Sequence, residues 1–354
     1  MEYPNVKNAH VVPRTYLENF ADENSRIAAV LVEDGRVVVR RVTKVGTRRR
    51  FYRRERPDGT QIDDIEKSLG DGEAAATPVL RSFADGWPLN TEEKVKLAEL
   101  FAYQLLRGPR WKAEHAAFVS DVLAGWRREG KVKARGEQQE VTDAEIDEAV
   151  SVFGTDTSRY ISMLRLAPTL ATVLGSMHWT LVDLRTPLIA TSDHPVVLWP
   201  LSERSRRPQP TPVGIGVLAC FEIRLPLSPR HLVLMTWLDA PDAEVARVSG
   251  ARHHASNANA FTRAQGDQQW FHLPGTSPPI GSGRLLPLAL ELLDSYTFEA
   301  ARTSRRRERT SSEVRAKTGR SLADREITIV RMDRTARPTK TGRDRTPPAG
   351  SESG

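Results

Sequence analysis

One cysteine, Cys220, stands in 354 residues, so no internal disulfide can form. Its setting in Val217-Leu218-Ala219-Cys220-Phe221 predicts a buried, inert thiol. Long apolar runs are absent too: no window approaches the roughly 18 residues that cross a bilayer, and Met1-Glu2-Tyr3-Pro4-Asn5 lacks the basic-then-apolar order of a signal peptide. These absences predict a cytoplasmic protein with no membrane partner. A Cys pair at zinc spacing, an H-E-x-x-H helix and a phosphate-loop pattern are also missing, and Gly214-Ile215-Gly216 is too short to mean dinucleotide binding.

Charge of one sign is scarce in most of the chain. Of 52 Lys and Arg and 45 Asp and Glu, 15 and 7 fall in residues 301–354, which leaves 37 against 38 in residues 1–300. The net charge of +7 therefore belongs to the tail, and the body gives no electrostatic footprint for nucleic acid. The segment 303–354 is basic, of low complexity and expected to be disordered, with Ile327-Thr328-Ile329-Val330 as one stretch able to form a short strand. Such an arm would contact nucleic acid or an acidic partner.

Residues 1–302 read as a single α+β domain, a helical block packed on a mostly antiparallel sheet. Asp34-Gly35 between two β-rich runs predicts a hairpin over 26–42. The basic-aromatic stretch 48–54 is either a solvated edge or an anion contact. Helical period sets in from about 61 to 177, with stripes at Ile62, Ile65 and Leu69, at Leu97, Leu100, Phe101 and Leu105, and at Trp111, Phe118, Val122 and Trp126. The charged segment 127–137 reads as an exposed loop, and Thr142-Asp143-Ala144-Glu145 has capping-box spacing. Short strands follow at 179–184, 188–190, 196–199, 221–225 and 231–235, then a helix over 245–264, a strand at Trp270-Phe271 and a helix over 285–300.

Polar residues stand out where this pattern predicts burial. Gln104 and Arg107 continue the apolar stripe of Leu97, Leu100 and Phe101, and a buried Arg needs a carboxylate or an anion to offset its desolvation. Glu66 and Glu73, seven apart, face the same way on an unbroken helix about 10.5 Å apart in rise, unless Gly70 and Gly72 bend it. Thr191-Ser192-Asp193-His194-Pro195 joins two apolar runs; Asp193 could cap nearby amides in an Asx turn, hold a metal or act as a base. No nucleophile elbow surrounds Ser192. His10 has no second His at metal spacing, His115 lies on a core stripe, and the pair His253-His254 reads as surface.

His10-x-x-Pro13-x-x-Tyr16-Leu17-x-x-Phe20, Gln104-x-x-Arg107-x-Pro109, Thr191-Ser192-Asp193-x-Pro195 and Leu225-Pro226-Leu227-Ser228-Pro229 occur in one order. With Phe51-Tyr52, Glu66, Glu73 and the Asn257 helix, these segments resemble the uncharacterised family known as domain of unknown function 4238, over roughly residues 8 to 275. His194 departs from it, standing where Asn is more usual. The resemblance implies a family and no chemistry.

Two functions fit these residues. In one, a metal-dependent phosphoester or nucleic-acid hydrolase uses Asp193, Glu66 and Glu73 to hold Mg or Mn, His10, Arg107 and Asp193 for catalysis, and Gln104, Arg107 and Ser192 for substrate. In the other, a non-catalytic binding protein uses the same residues as a structural polar network.

Overall fold

The computed structural model describes residues 8–49, 51–52, 54–55, 61–62, 64–134, 137–200, 217, 220–236, 247–282 and 287–292. The tail from 303 and its expected strand at 327–330 lie outside them.

The chain opens with strand β1 (Asn8–His10) and the one-turn helix α1 (Arg14–Glu18), which starts after Pro13. Strands β2 (Arg26–Leu31) and β3 (Val37–Arg41) form the expected hairpin, with Gly35 at φ 70° in its turn. Strand β4 (Thr47–Arg49) returns to pair with β1, setting His10 opposite Thr47, and β5 (Arg54–Glu55) pairs with β6 (Gln61–Ile62).

Helix α2 (Asp64–Ser82) runs through Gly70, Gly72 and Pro78 without interruption, so Glu66 and Glu73 stay two turns apart on one face. Helix α3 (Thr91–Arg107) begins at a capping box of Asn90 and Glu93, and α4 (Pro109–Glu129) follows after Gly108, with Pro109 at its first position. Gly130, at φ 62°, ends α4 in the left-handed cap that favours glycine.

The segment expected to be a loop over 127–137 instead ends α4 and begins a hairpin, β7 (Lys131–Ala134) with β8 (Glu137–Glu140). The α4 stripe is also displaced: Phe118 is 58% exposed, while His115 and Leu123 are buried. Helix α5 (Asp143–Phe153) carries the expected capping box at Thr142 and Glu145, and α6 (Asp156–Ser176) is capped by Thr155 and holds Pro168 within it.

Strands β9 (His178–Leu184), β10 (Thr191–Ser192), β11 (Val197–Pro200), β12 (Cys220–Ser228), β13 (His231–Thr236), β14 (Arg247–Gly250) and β15 (Gln269–His272) complete the sheets. Residues 188–190, expected as a strand, belong to no element. The larger sheet runs β11-β12-β13-β9-β14, antiparallel except for β14 against β9; the smaller, β10-β15-β2-β3, is wholly antiparallel. The helix expected over 245–264 divides into strand β14 and helix α7 (Arg252–Gln265), and the last described helix is α8 (Leu288–Leu292), with 293–300 outside the described residues. Cys220 is fully buried as expected.

One apolar core joins these layers. Tyr16, Leu17 and Phe20 of the N-terminal segment, Leu97 and Phe101 of α3, Leu174 of α6 and Leu181, Leu225 and Val233 of the larger sheet are all at most 1% exposed within it. The helical block thus lies against a sheet that is mostly antiparallel, and the fold is α+β.

Candidate functional site

The motif residues of the N-terminal segment, α3 and the 191–195 loop meet around the junction of α3 and α4. Arg107 ends α3 with a side chain only 2% exposed. Its Nη1 donates to Glu73 Oε1 at 2.6 Å, its Nη2 to the His10 carbonyl at 2.5 Å and its Nε to the Tyr52 hydroxyl at 3.2 Å. Three nitrogens therefore bind three segments. One turn earlier, Gln104 Nε2 donates to the Val11 carbonyl at 2.9 Å.

Electrostatics follow from this packing. Burial alone would lower the Arg107 pKa, but Tyr52, Glu73 and Glu66 around it outweigh that and hold the guanidinium firmly charged. Burial pushes the Tyr52 hydroxyl up to about 12 despite the neighbouring Arg107. His10 is pulled below its ordinary value by burial, with Glu73 opposing and Arg107 reinforcing, so its imidazole is neutral near pH 7. His10 Nε2 and Gln104 Oε1 are buried with no hydrogen-bond partner among the described residues.

Asp193 belongs to a second cluster, beside the start of α4. Its Oδ1 accepts the Asp267 amide at 2.7 Å, and its Oδ2 accepts those of Gln268 and Gln269 at 2.8 and 3.2 Å. Arg48 Nη2 lies 3.7 Å from the same carboxylate and 2.6 Å from that of Asp267. Asp193 does cap amides, but those of a loop more than 70 residues away rather than of its own Asx turn. Burial pushes its carboxyl up while the three amides pull it down.

Ser192 Oγ donates to the His194 carbonyl at 2.9 Å and accepts the His194 amide at 3.1 Å, which fixes the turn. The His194 ring lies close to Gly108, where an added Cβ would stand 3.8 Å from Nδ1, and burial with Arg110 beside it pulls its pKa down to about 3. A shallow cavity of about 300 Å³ touches Asp193, His194, Arg110 and Gln265.

The expected convergence is thus divided. Glu66, Glu73, Gln104, Arg107 and His10 share one cluster, and Ser192 and Asp193 share another across the Gly108-Pro109 junction. Among the described residues, no group of three or more His, Cys, Asp or Glu is placed to hold a metal ion. The basic edge at 48–54 is partly internal, since Tyr52 is buried and Arg48 is drawn onto two carboxylates. His254, expected at the surface with His253, is 8% exposed, and its Nδ1 accepts the Ala251 amide at the start of α7.

A third polar centre gave no warning in the sequence. Glu222 and Arg224 of β12 are 0% and 1% exposed and bonded at 2.6 Å. Arg224 also donates to Asn257 Oδ1 at 2.9 Å, its guanidinium lies over the Trp199 and Phe261 rings, and Glu222 caps the amides of Leu288 and Ala289. Asn259 of α7 accepts the Ala190 amide and donates to the Leu188 and Pro279 carbonyls.

No curated protein and no solved structure matches the chain. A family model does match, over residues 8–273, and these include each of the motif segments whose contacts are given above. The chain belongs to the family described as Protein of unknown function (DUF4238).

Proposed function

We propose that the motif residues are architecture, and that the protein is a non-catalytic binding protein whose ligand surface lies elsewhere. The observation that carries this reading is the partner set of the polar side chains: Arg107 and Gln104 hold the backbone carbonyls of residues 10 and 11, and Asp193 holds the amides of residues 267–269. A carboxylate that already accepts three amides has few lone pairs left for a metal. Ser192 spends its hydroxyl on its own turn, and Glu73 its carboxylate on Arg107. The geometry supports hydrolase chemistry less well, because Asp193 and Glu73, two of the carboxylates expected to share Mg or Mn, are committed to different partners.

Melting of the wild type with and without millimolar Mn or Mg separates the two readings. On this proposal, metal leaves the melting temperature unchanged. Asp193→Asn then lowers stability by about 1–3 kcal/mol with or without metal, because an amide NH2 faces backbone donors. A metal-dependent rise in the wild type that Asp193→Asn abolishes would establish the hydrolase reading instead.

A further inference from the structure

A cavity of about 360 Å³ lies between α4, α5 and α6 and is of a size that suits a small ligand. Val119, Leu123 and Ile146 form part of an apolar wall, and Lys112, His115 and Arg159 supply the polar end. Arg159 is 4% exposed, and its Nη1 and Nη2 have no hydrogen-bond partner among the described residues. Its nearest carboxylate is Asp156, 3.5 Å from Nη1; Asp156 is 43% exposed and shared with Lys112 at 3.2 Å.

The Arg159 guanidinium lies near two aromatic rings, and on its edge Asp156 stands 3.5 Å from Nη1 without a hydrogen bond. The guanidinium carbon lies 4.5 Å from the Tyr160 ring centre and 5.4 Å from that of Phe51. Stacking of this kind favours a planar cation and leaves its N–H groups directed in plane, the geometry that grips a carboxylate with two parallel bonds. Arg159 also stands in the first turns of α6, where the helix dipole favours an anion. A buried guanidinium with unmet donors is costly, and an incoming anion would relieve that cost.

We propose that this cavity binds a small organic carboxylate with an apolar body, held at its charged end by Arg159 and Lys112 and along its body by Val119, Leu123 and Ile146. The proposal deepens the reading of the protein as a binding protein by giving the surface and the ligand class. It fails independently of that reading, which rests on metal titration and on Asp193.

Calorimetric titration with octanoate below its micelle concentration tests it, with octanol as the tail without the charge and inorganic phosphate as the charge without the tail. Saturable octanoate binding is expected, at least tenfold tighter than either control, and weakened at least tenfold by Arg159→Gln. No saturable octanoate binding, equal binding of octanol or phosphate, or unchanged affinity in Arg159→Gln would overturn the proposal. Should Arg159→Gln not fold, Lys112→Ala decides, because Lys112 is half exposed: several-fold weakening supports the site and unchanged affinity refutes it.

Discussion

Arg107 and Arg159 are both buried guanidinium groups on long helices, 3% and 4% exposed, and each lies near an aromatic ring and a carboxylate. At Arg107 all three nitrogens donate to the protein, each to a group more than 30 residues away in sequence. At Arg159 the two terminal nitrogens make no hydrogen bond among the described residues, Asp156 standing 3.5 Å from Nη1, and the residue lines a cavity. The same side chain thus serves two ends: where its donors are met it joins segments, and where they are unmet it is prepared for something that arrives from outside. Burial alone does not separate the two uses. The partner inventory does.

Breaking the Arg107 side of this comparison has the largest expected effect. Glu73→Ala leaves a buried guanidinium without its carboxylate and is expected to cost about 3 kcal/mol in urea unfolding. A loss below about 0.5 kcal/mol would mean that Arg107 is compensated otherwise and is no fastener.

Acid sharpens the comparison next. His194, whose folded pKa of about 3 lies below its ordinary 6.5, is neutral at the same junction. The stability this contributes is complete above pH 6.5 and drains away as pH falls toward 3, at up to about 1.4 kcal/mol per pH unit for one proton. Between pH 6.5 and 4.5, His194→Asn should therefore lose about 2 kcal/mol less than the wild type, measured by urea unfolding at each pH. Parallel losses in the two proteins would show that His194 takes up no proton on unfolding.

The smallest effect is expected at Arg159. Without ligand, Arg159→Gln should change stability by no more than about 1 kcal/mol, because the lost ring stacking is offset by relief from burying a charge. A loss as large as that of Glu73→Ala would place the two arginines in one class and end the contrast.

How far these features can be read from sequence depends on the element that carries them. Gln104 and Arg107 are visible because two polar residues extend an apolar helical stripe, and a helix buries one stripe. Glu222 and Arg224 are hidden by the same kind of logic, since alternate polar residues on a strand read as a solvent face. Here α7 and α8 cover that face, through Asn257 and the Leu288 and Ala289 amides, and no local pattern announces a cover that comes from residues 33 to 67 positions later.

Strand β14 was masked in a similar way. Among the described residues its partner is β9, in parallel, and Gly250 fits because a Cβ there would stand 2.7 Å from Val182 Cγ1, so tertiary packing overrides a helical period. The hairpin end, the capping box at Thr142 and Glu145 and the buried Cys220 were legible because each rests on residues adjacent in the chain. Arg159 was not, because the helical stripe marks which side chains go inward and not whether their donors find acceptors.

The pairing of β2 with β15 sets Ala29 opposite Phe271, and Tyr16 donates to the Pro226 carbonyl. The segment that holds Tyr16 and Ala29 is therefore completed by residues 210 and 242 positions later in the chain. At synthesis rates of about 5–20 residues per second, Tyr16 and Ala29 wait on the order of ten seconds or longer for these partners. A nascent chain of this design spends that interval with the segment around Tyr16 incompletely covered and in reach of neighbours, which makes that segment a natural substrate for holding chaperones.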